Sequence, residues 1–237
     1  TAGINTVAIT EVAGVKYVAT GGVDRMVKLW NGNTGVWIRD FVDTDAGLTT
    51  AHNGSVLSVA FSADGSKLLT AGVGRLAKVW NADGTGSPTW ITEAATDTGT
   101  LTATASQRLT DAAKTWTVDS LAGAWVRMTS GAANGQARLI SANTADTITY
   151  LGAFSAAPAV GDTFEIVPTT HDLGVNAAIF SSDGTKILTG STDKKIKMWD
   201  ASTYALLDTF NGGADAHSGT ITSLATHGDI LVSGSVD

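Results

Sequence analysis

Hydrophobic and polar residues alternate along most of the chain in short runs separated by turn residues. Residues 56–61 alternate and are largely apolar, and residues 63–66 follow them as a turn in which glycine supplies a positive φ. Residues 67–71, 76–80 and 89–92 continue the series as a second, third and fourth strand. No segment sustains the 3.6-residue period of an amphipathic helix, so the pattern predicts an all-β fold with almost no helix.

The strand pattern is repeated along the chain. Residues 61–70 match residues 180–189 without a gap, and the same offset pairs His52 with His171. An earlier copy covers residues 17–31, and a later one starts at His217 and reaches Asp237. Four-stranded units of this length are typical of propeller blades, and the sequence predicts about three and a half of them.

The copies carry the motifs of a known family. The copy that starts at His171 continues with FSSDG from Phe180, LTGSTD up to Asp193 and IKMWD up to Asp200. In these motifs the chain resembles the WD-repeat β-propellers over about two thirds of its length, the central segment excluded. The resemblance implies a hydrogen-bonded chain of His, Ser or Thr, Asp and Trp in each blade.

The residues that the resemblance assigns to this structural network differ in completeness between the copies. One copy has Gly74 where the Asp is expected, so we expect its network to be incomplete and its blade less rigid. The assigned residues are Thr20, Asp24 and Trp30 in the first copy, His52, Thr70 and Trp80 in the second, His171, Thr189, Asp193 and Trp199 in the third, and His217, Ser233 and Asp237 in the fourth.

Three and a half blades do not close a ring, because propellers typically have four to eight. We expect the chain to be a fragment of a longer propeller. The alternative is that several copies close or polymerise by pairing their open ends, since unpaired sheet edges and half-buried repeat faces favour association.

An insertion separates the second and third copies. It lies between about residues 96 and 170, and its alternating runs predict strands at 114–118, 125–129, 137–141, 147–150 and 163–167. We therefore predict propeller blades 1 and 2 in residues 1–95, a small β-rich domain in residues 96–170, and blade 3 with a partial blade 4 in residues 171–237. Residues 125–140 loosely resemble small β-modules of phage and bacterial surface proteins.

Composition and motifs exclude several functions. The chain has 237 residues, no Cys and a formal net charge of −7, which argues against disulfides, thiol chemistry and a phosphate-binding nucleic-acid interface. It contains no apolar run of 18 residues, so we expect no membrane insertion. No phosphate loop, nucleophile elbow or zinc-protease motif is present, and the repeated His residues fall in different blades. Residues 43–47 resemble only part of a calcium loop. We predict no enzyme activity, no metal and no cofactor.

Three basic residues, Arg25, Arg75 and Lys194, follow the same turn in successive copies. They form either a basic collar for an acidic partner or three solvated turn positions. The predicted function is a non-enzymatic scaffold for protein–protein interaction. The alternative is a structural subunit of an extracellular or virion assembly that associates with copies of itself. An extracellular or virion-surface location is slightly favoured over the cytoplasm.

Overall fold

The computed structural model describes residues 3–210 and 216–237, which contain strands and turns and no helix. None of the described residues therefore forms a helix that could span a membrane. In chain order the strands are β1 Ile4–Val12, β2 Val15–Gly22, β3 Val27–Asn31, β4 Trp37–Phe41, β5 Val56–Phe61, β6 Lys67–Gly72, β7 Ala77–Asn81, β8 Thr89–Ile91, β9 Asp97–Thr100, β10 Ala103–Ala105, β11 Arg108–Thr110, β12 Trp125–Met128, β13 Ala137–Asn143, β14 Thr147–Tyr150, β15 Thr163–Val167, β16 Val175–Phe180, β17 Lys186–Ser191, β18 Ile196–Asp200, β19 Leu206–Phe210, β20 Ile221–His227 and β21 Ile230–Ser235.

The chain divides into two compact units. The first comprises the described residues of Thr1–Asp43, Thr50–Thr92 and Thr170–Asp237, and the second comprises Thr44–Thr49 and Glu93–Thr169. The first unit contains three antiparallel four-stranded sheets, β1–β4, β5–β8 and β16–β19, and the two-stranded sheet β20–β21. Each sheet is a meander in which neighbouring strands are consecutive in sequence, as the repeats predicted for blades 1 to 4.

Adjacent blades pack through their first two strands, and each interface has its own apolar cluster. Between blades 2 and 3, Leu69 and Val79 of blade 2 meet Val175 and Trp199 of blade 3, and all four are buried. Side-chain hydrogen bonds link neighbouring first strands, among them Asn5 Nδ2 to the Val56 carbonyl (2.9 Å), Asn176 Nδ2 to the Ile221 carbonyl (2.9 Å), and the Ala178 N–H to Ser58 Oγ (3.0 Å). Each blade is thus fixed to the next by apolar packing and by specific polar contacts.

The turn between the first two strands is built in the same way in blades 2 and 3. Ser62 Oγ donates to Asp64 Oδ1 (2.6 Å), and the Ser66 N–H donates to the same oxygen (3.0 Å). These bonds, the Ser62 hydroxyl first, lower the pKa of Asp64 to about 2. Gly65 has a φ of 70° and Gly184 a φ of 72°, which confirms the expected glycine turn.

The second unit is one seven-stranded antiparallel sheet in the order β10-β11-β14-β13-β12-β15-β9. It has its own core, in which Val126, Ile140, Ile148 and Phe164 are each at most 1% exposed. The insertion expected at residues 96–170 lies in this unit except for Thr170, the unit also includes residues 44–49, and strands occur at four of the five expected places.

The predicted strand at 114–118 was wrong, because these residues form a loop held by specific polar contacts. Lys114 Nζ and Trp116 Nε1 both donate to the Asp97 carboxylate, at 2.7 Å each. The Lys114 N–H donates to the Asp111 carbonyl (3.0 Å). The alternation in this segment therefore does not mark the two faces of a strand. It arises because Lys114 and Trp116, two residues apart, both donate to the Asp97 carboxylate.

Candidate functional site

In blade 3, four side chains from two strands and two loops form a continuous hydrogen-bonded chain. Trp199 Nε1 donates to Thr189 Oγ1 (3.0 Å), which lies 2.8 Å from His171 Nε2. The other ring nitrogen of His171, Nδ1, lies 2.9 Å from Asp193 Oδ2. Because a carboxylate only accepts, Nδ1 carries a proton and donates to Asp193, while Nε2 shares the second hydrogen bond with the Thr189 hydroxyl.

Asp193 is the end of this chain and also organises the turn that follows β17. Its carboxylate accepts from the backbone N–H groups of Asp172 (3.1 Å) and Lys195 (3.0 Å). Burial by itself would raise the pKa of Asp193. The hydrogen bond and charge of His171, together with the two backbone donors, outweigh burial and lower the pKa to about 2. The carboxylate is therefore ionised, with its side chain only 5% exposed, at neutral pH.

Blade 2 lacks the last member of this chain. Trp80 Nε1 donates to Thr70 Oγ1 (2.8 Å), which lies 2.8 Å from His52 Nε2. Gly74 stands where blade 3 has Asp193, and His52 Nδ1 has no hydrogen-bond partner among the described residues although it is buried. A Cβ atom on Gly74 would lie 1.8 Å from Asn53 Oδ1, so the Asn53 amide occupies the space of the missing carboxylate.

The expected effect of this gap is a pH-dependent stability. Burial first, and then the charge of Lys78, lower the pKa of His52 well below 6.5. As the pH falls below 6.5 the unfolded chain therefore gains a proton at His52 that the folded chain does not. The free energy of unfolding should fall with decreasing pH, by up to about 1.4 kcal/mol per pH unit.

Supplying the missing carboxylate should remove this dependence. We expect the double variant Asn53→Ala/Gly74→Asp to show a flatter profile of unfolding free energy between pH 6.5 and 4.5 than Asn53→Ala alone, measured by urea denaturation. Equal slopes in the two proteins would contradict the role given to His52.

Blades 1 and 4 contain shorter chains. In blade 1, Trp30 Nε1 donates to Thr20 Oγ1 (3.0 Å), and the exposed Asp24 accepts only from the Met26 N–H (3.1 Å) among described residues. In blade 4, His217 contacts Ser233 Oγ (2.8 Å) through Nε2 and Asp237 Oδ1 (3.0 Å) through Nδ1. The Ser218 N–H donates to Asp237 Oδ2 (2.6 Å) and, as the largest contribution, holds the pKa of this carboxyl well below its usual range.

A buried ion pair that the sequence did not predict lies between blades 1 and 2. Lys78 Nζ is 2.6 Å from Asp43 Oδ2 and 2.8 Å from the Ala51 carbonyl, and Trp90 Nε1 donates to the same Asp43 oxygen (2.8 Å). The side chains of Lys78 and Asp43 are 1% and 0% exposed. Burial lowers the pKa of Lys78, and Asp43 opposes this shift. One sequence feature could have indicated this pair. The third strand of blades 1, 2 and 3 has a lysine at the same position, namely Lys28, Lys78 and Lys197.

The candidate calcium loop at residues 43–47 is used for other contacts. The Asp43 carboxylate binds Lys78 and Trp90, as described above. Within the second unit, the Asp45 carbonyl accepts from Arg138 Nη1 (2.9 Å) and from the Ala137 N–H (2.8 Å). The described residues hold no group of three or more His, Asp or Glu side chains that could bind a metal ion.

The three basic turn residues share one unusual geometry. Arg25, Arg75 and Lys194 are exposed and have φ values of 70°, 66° and 71°. The Arg25 carbonyl accepts from the His52 N–H, and the Arg75 carbonyl accepts from the His171 N–H, both at 3.3 Å. Each of these two turns is thus tied to the network histidine of the next blade. We call these three residues the basic collar.

The left-handed conformation gives the basic collar an energetic cost. Holding a residue with a Cβ atom at positive φ destabilises the folded state by on the order of 1 kcal/mol, whereas glycine adopts this conformation freely. The described structure therefore holds a long cation at three equivalent positions where glycine would be more stable.

Comparison with known proteins identifies the repeats. The family described as "WD domain, G-beta repeat" matches residues 4–31, 46–81 and 164–200. No curated protein sequence matches the chain.

Solved structures show the same fold. U3-55K covers 99% of the chain at 14% identity with a TM-score of 0.56, and the WD40 repeats of RRP9 cover 99% at 13% identity with a TM-score of 0.56. The chain spans only 46% and 45% of these two proteins. A computationally designed protein, Ika4, covers 99% at 18% identity with a TM-score of 0.52, and the chain spans 86% of it. Three segments of the chain therefore match the WD40 repeat, and its first unit has the fold of WD40 β-propeller blades.

Proposed function

We propose that this chain is a non-enzymatic WD40 scaffold that binds an acidic segment of a protein partner through the basic collar. WD40 repeats are typical of proteins that bind other proteins, and this supports the general class. The observation that carries the finer proposal is that three exposed cations are held at positive φ in equivalent turns. On a chain with a formal net charge of −7, three exposed cations in equivalent turns favour an acidic partner at this end of the blades.

The blade networks support the collar mechanically. In blades 2 and 3 the network histidine donates its backbone N–H to the collar residue of the preceding blade. The His side chain is fixed by Thr and Trp from the same blade. Because these contacts fix the turns before binding, little conformational entropy is lost when the partner docks.

The test uses a labelled poly-glutamate chain as the acidic probe. We expect the wild-type protein to bind it in a salt-sensitive manner, and the variant Arg25→Gly/Arg75→Gly/Lys194→Gly to bind about tenfold more weakly. Glycine relieves the positive-φ cost, so this variant should remain folded and be at least as stable as wild type.

A control for charge alone is the variant Lys16→Gln/Arg108→Gln, which removes two exposed cations outside the collar. It should bind the probe nearly as well as wild type in fluorescence polarisation. Unchanged binding by the glycine variant, or an equal loss in the control, would overturn the role of the collar.

A second candidate is self-association into a structural assembly, and the exposed face of β1 favours it. Ile4, Val7 and Ile9 are 65–66% exposed, whereas Val56 and Val59, the blade 2 equivalents of Ile4 and Val7, are 0% and 7% exposed. Unpartnered apolar side chains at repeat positions that pack against a preceding blade favour association with another copy. The loose resemblance of the insertion to phage and bacterial surface modules would fit an extracellular or virion assembly.

Light scattering separates the two candidates. The second predicts particles of several copies that dissociate in the variant Val7→Glu/Ile9→Glu. If the protein is the scaffold proposed above, the variant and the wild-type protein should have the same particle mass in solution.

A further inference from the structure

A groove lies between blades 1 and 2, at the end of the blades opposite to the basic collar. Its volume is about 560 Å³, within the range of sites that bind small ligands or short peptide segments. Blade 1 contributes Tyr17, Leu29, Ile38 and Arg39 to its lining. Blade 2 contributes Phe61 and the polar turn residues Lys67, Asn81 and Asp83, among others.

An aromatic ring occupies the corresponding place between blades 2 and 3. There Tyr204 packs against the apolar cluster of that interface, together with Phe180, the equivalent of Phe61. Counted from the paired residues Met198–Asp208 and Val79–Thr89, Tyr204 aligns with Thr85, and the turn 81–86 contains no aromatic residue. Its backbone also differs, because the positive φ falls at Tyr204 in blade 3 and at Gly84 and Gly86 in blade 2. The groove is therefore open because one turn lacks the side chain that fills its counterpart.

The polar chemistry of the groove is set by Arg39. Its guanidinium makes no hydrogen bond to the described residues, and its Nε atom is buried. Lys67 is near it and donates to Asn81 Oδ1 (2.7 Å). Hydrogen bonds from Thr85 first, and then the charges of Arg39 and Lys67, lower the pKa of Asp83. Two cations and one carboxylate thus leave the groove with a net positive charge beside an apolar floor.

We propose that this groove binds an extended peptide segment of a protein partner that presents an apolar side chain next to a carboxylate. The apolar side chain would lie on Tyr17, Ile38 and Phe61, where Tyr204 supplies the ring in the next interface. The carboxylate would accept hydrogen bonds from the Arg39 guanidinium, whose planar donors match it. This inference rests on the proposed scaffold function and adds a second, chemically defined contact at the opposite end of the blades.

The experiment measures fluorescence polarisation of a labelled nine-residue peptide in which Leu and Glu alternate. Two matched peptides replace either Glu by Gln or Leu by Ser. The protein should bind the Leu–Glu peptide at least about tenfold more tightly than either matched peptide, because charge-assisted hydrogen bonds and apolar burial both contribute.

Two variants locate the site. Arg39→Gln removes the charge, and Thr85→Tyr introduces an aromatic residue at the position aligned with Tyr204. Each should weaken binding by about tenfold, while Arg108→Gln, an exposed cation of the second unit, should leave binding unchanged. Thermal unfolding of each variant verifies that it is folded.

If the peptide does not bind, or if wild type and both variants bind it equally, the proposal that this groove is a peptide-binding site is wrong. Neither result bears on the collar, because no collar residue is changed and its probe is a different one. Equal binding of the Leu–Glu and Leu–Gln peptides would overturn the role of Arg39.

Discussion

Replacing Asp43 by alanine is expected to lower the free energy of unfolding by about 3–5 kcal/mol, because it leaves the buried ammonium of Lys78 without its counter-charge. The Ala51 carbonyl, 2.8 Å from Lys78 Nζ, would remain as its acceptor. Trp90 Nε1 would lose an acceptor at the same time. Urea denaturation of the single variant measures the effect.

The double variant Asp43→Leu/Lys78→Met is the control, since it removes both charges and keeps apolar volume. It should be substantially more stable than Asp43→Ala, because no unpaired charge is left in the interior. A cost below about 1 kcal/mol for Asp43→Ala would show that Lys78 reaches solvent and would contradict the buried pair.

Replacing Asp193 by alanine is expected to cost about 3 kcal/mol, because it leaves the buried His171 Nδ1 without its acceptor and frees two backbone donors of the turn. The pKa of Asp193 is lowered to about 2, so its contribution to stability is present above the unfolded value near 3.9. It should be lost as the pH falls towards 2. The difference in unfolding free energy between wild type and variant should shrink over that interval.

The matched control is Asp24→Ala at the equivalent position of blade 1. Asp24 is exposed and accepts from one backbone N–H, so its loss should cost about 0.5–1 kcal/mol. Equal costs for the two substitutions would contradict the idea that the complete network in blade 3 adds stability. The stabilising role of the networks stays a prediction until these values are measured.

The repeat offset explains how much of the fold could be predicted from the sequence. Residues 61–70 and 180–189 match without a gap, so the strands and turns of blades 2 and 3 could be aligned and each network position assigned by number. The alternation within 56–61 and the glycine turn after it are local signals, and the structure has both features there.

The parts that could not be predicted depend on contacts distant in sequence or on weak periodicity. Strands β9, β10 and β11 are only three or four residues long and rich in Thr, Ala and Gly, so they lack an apolar face to detect. Asp43 and Lys78 lie on different blades, and only the packing of those blades brings them together. The groove at Arg39 likewise could not be predicted, because it depends on the absence of an aromatic side chain from the turn 81–86.

Site-specific photo-cross-linking tests the central claim, that the basic collar is the docking surface for a protein partner. A photoreactive residue is placed at position 194, in the collar turn after β17, and separately at position 203, in the turn at the opposite end of β18. In an extract of the source cells, we expect adducts with another protein from position 194 that disappear when Arg25 and Arg75 are changed to Gly. Adducts that persist in that variant, or that form only from position 203, would contradict this claim.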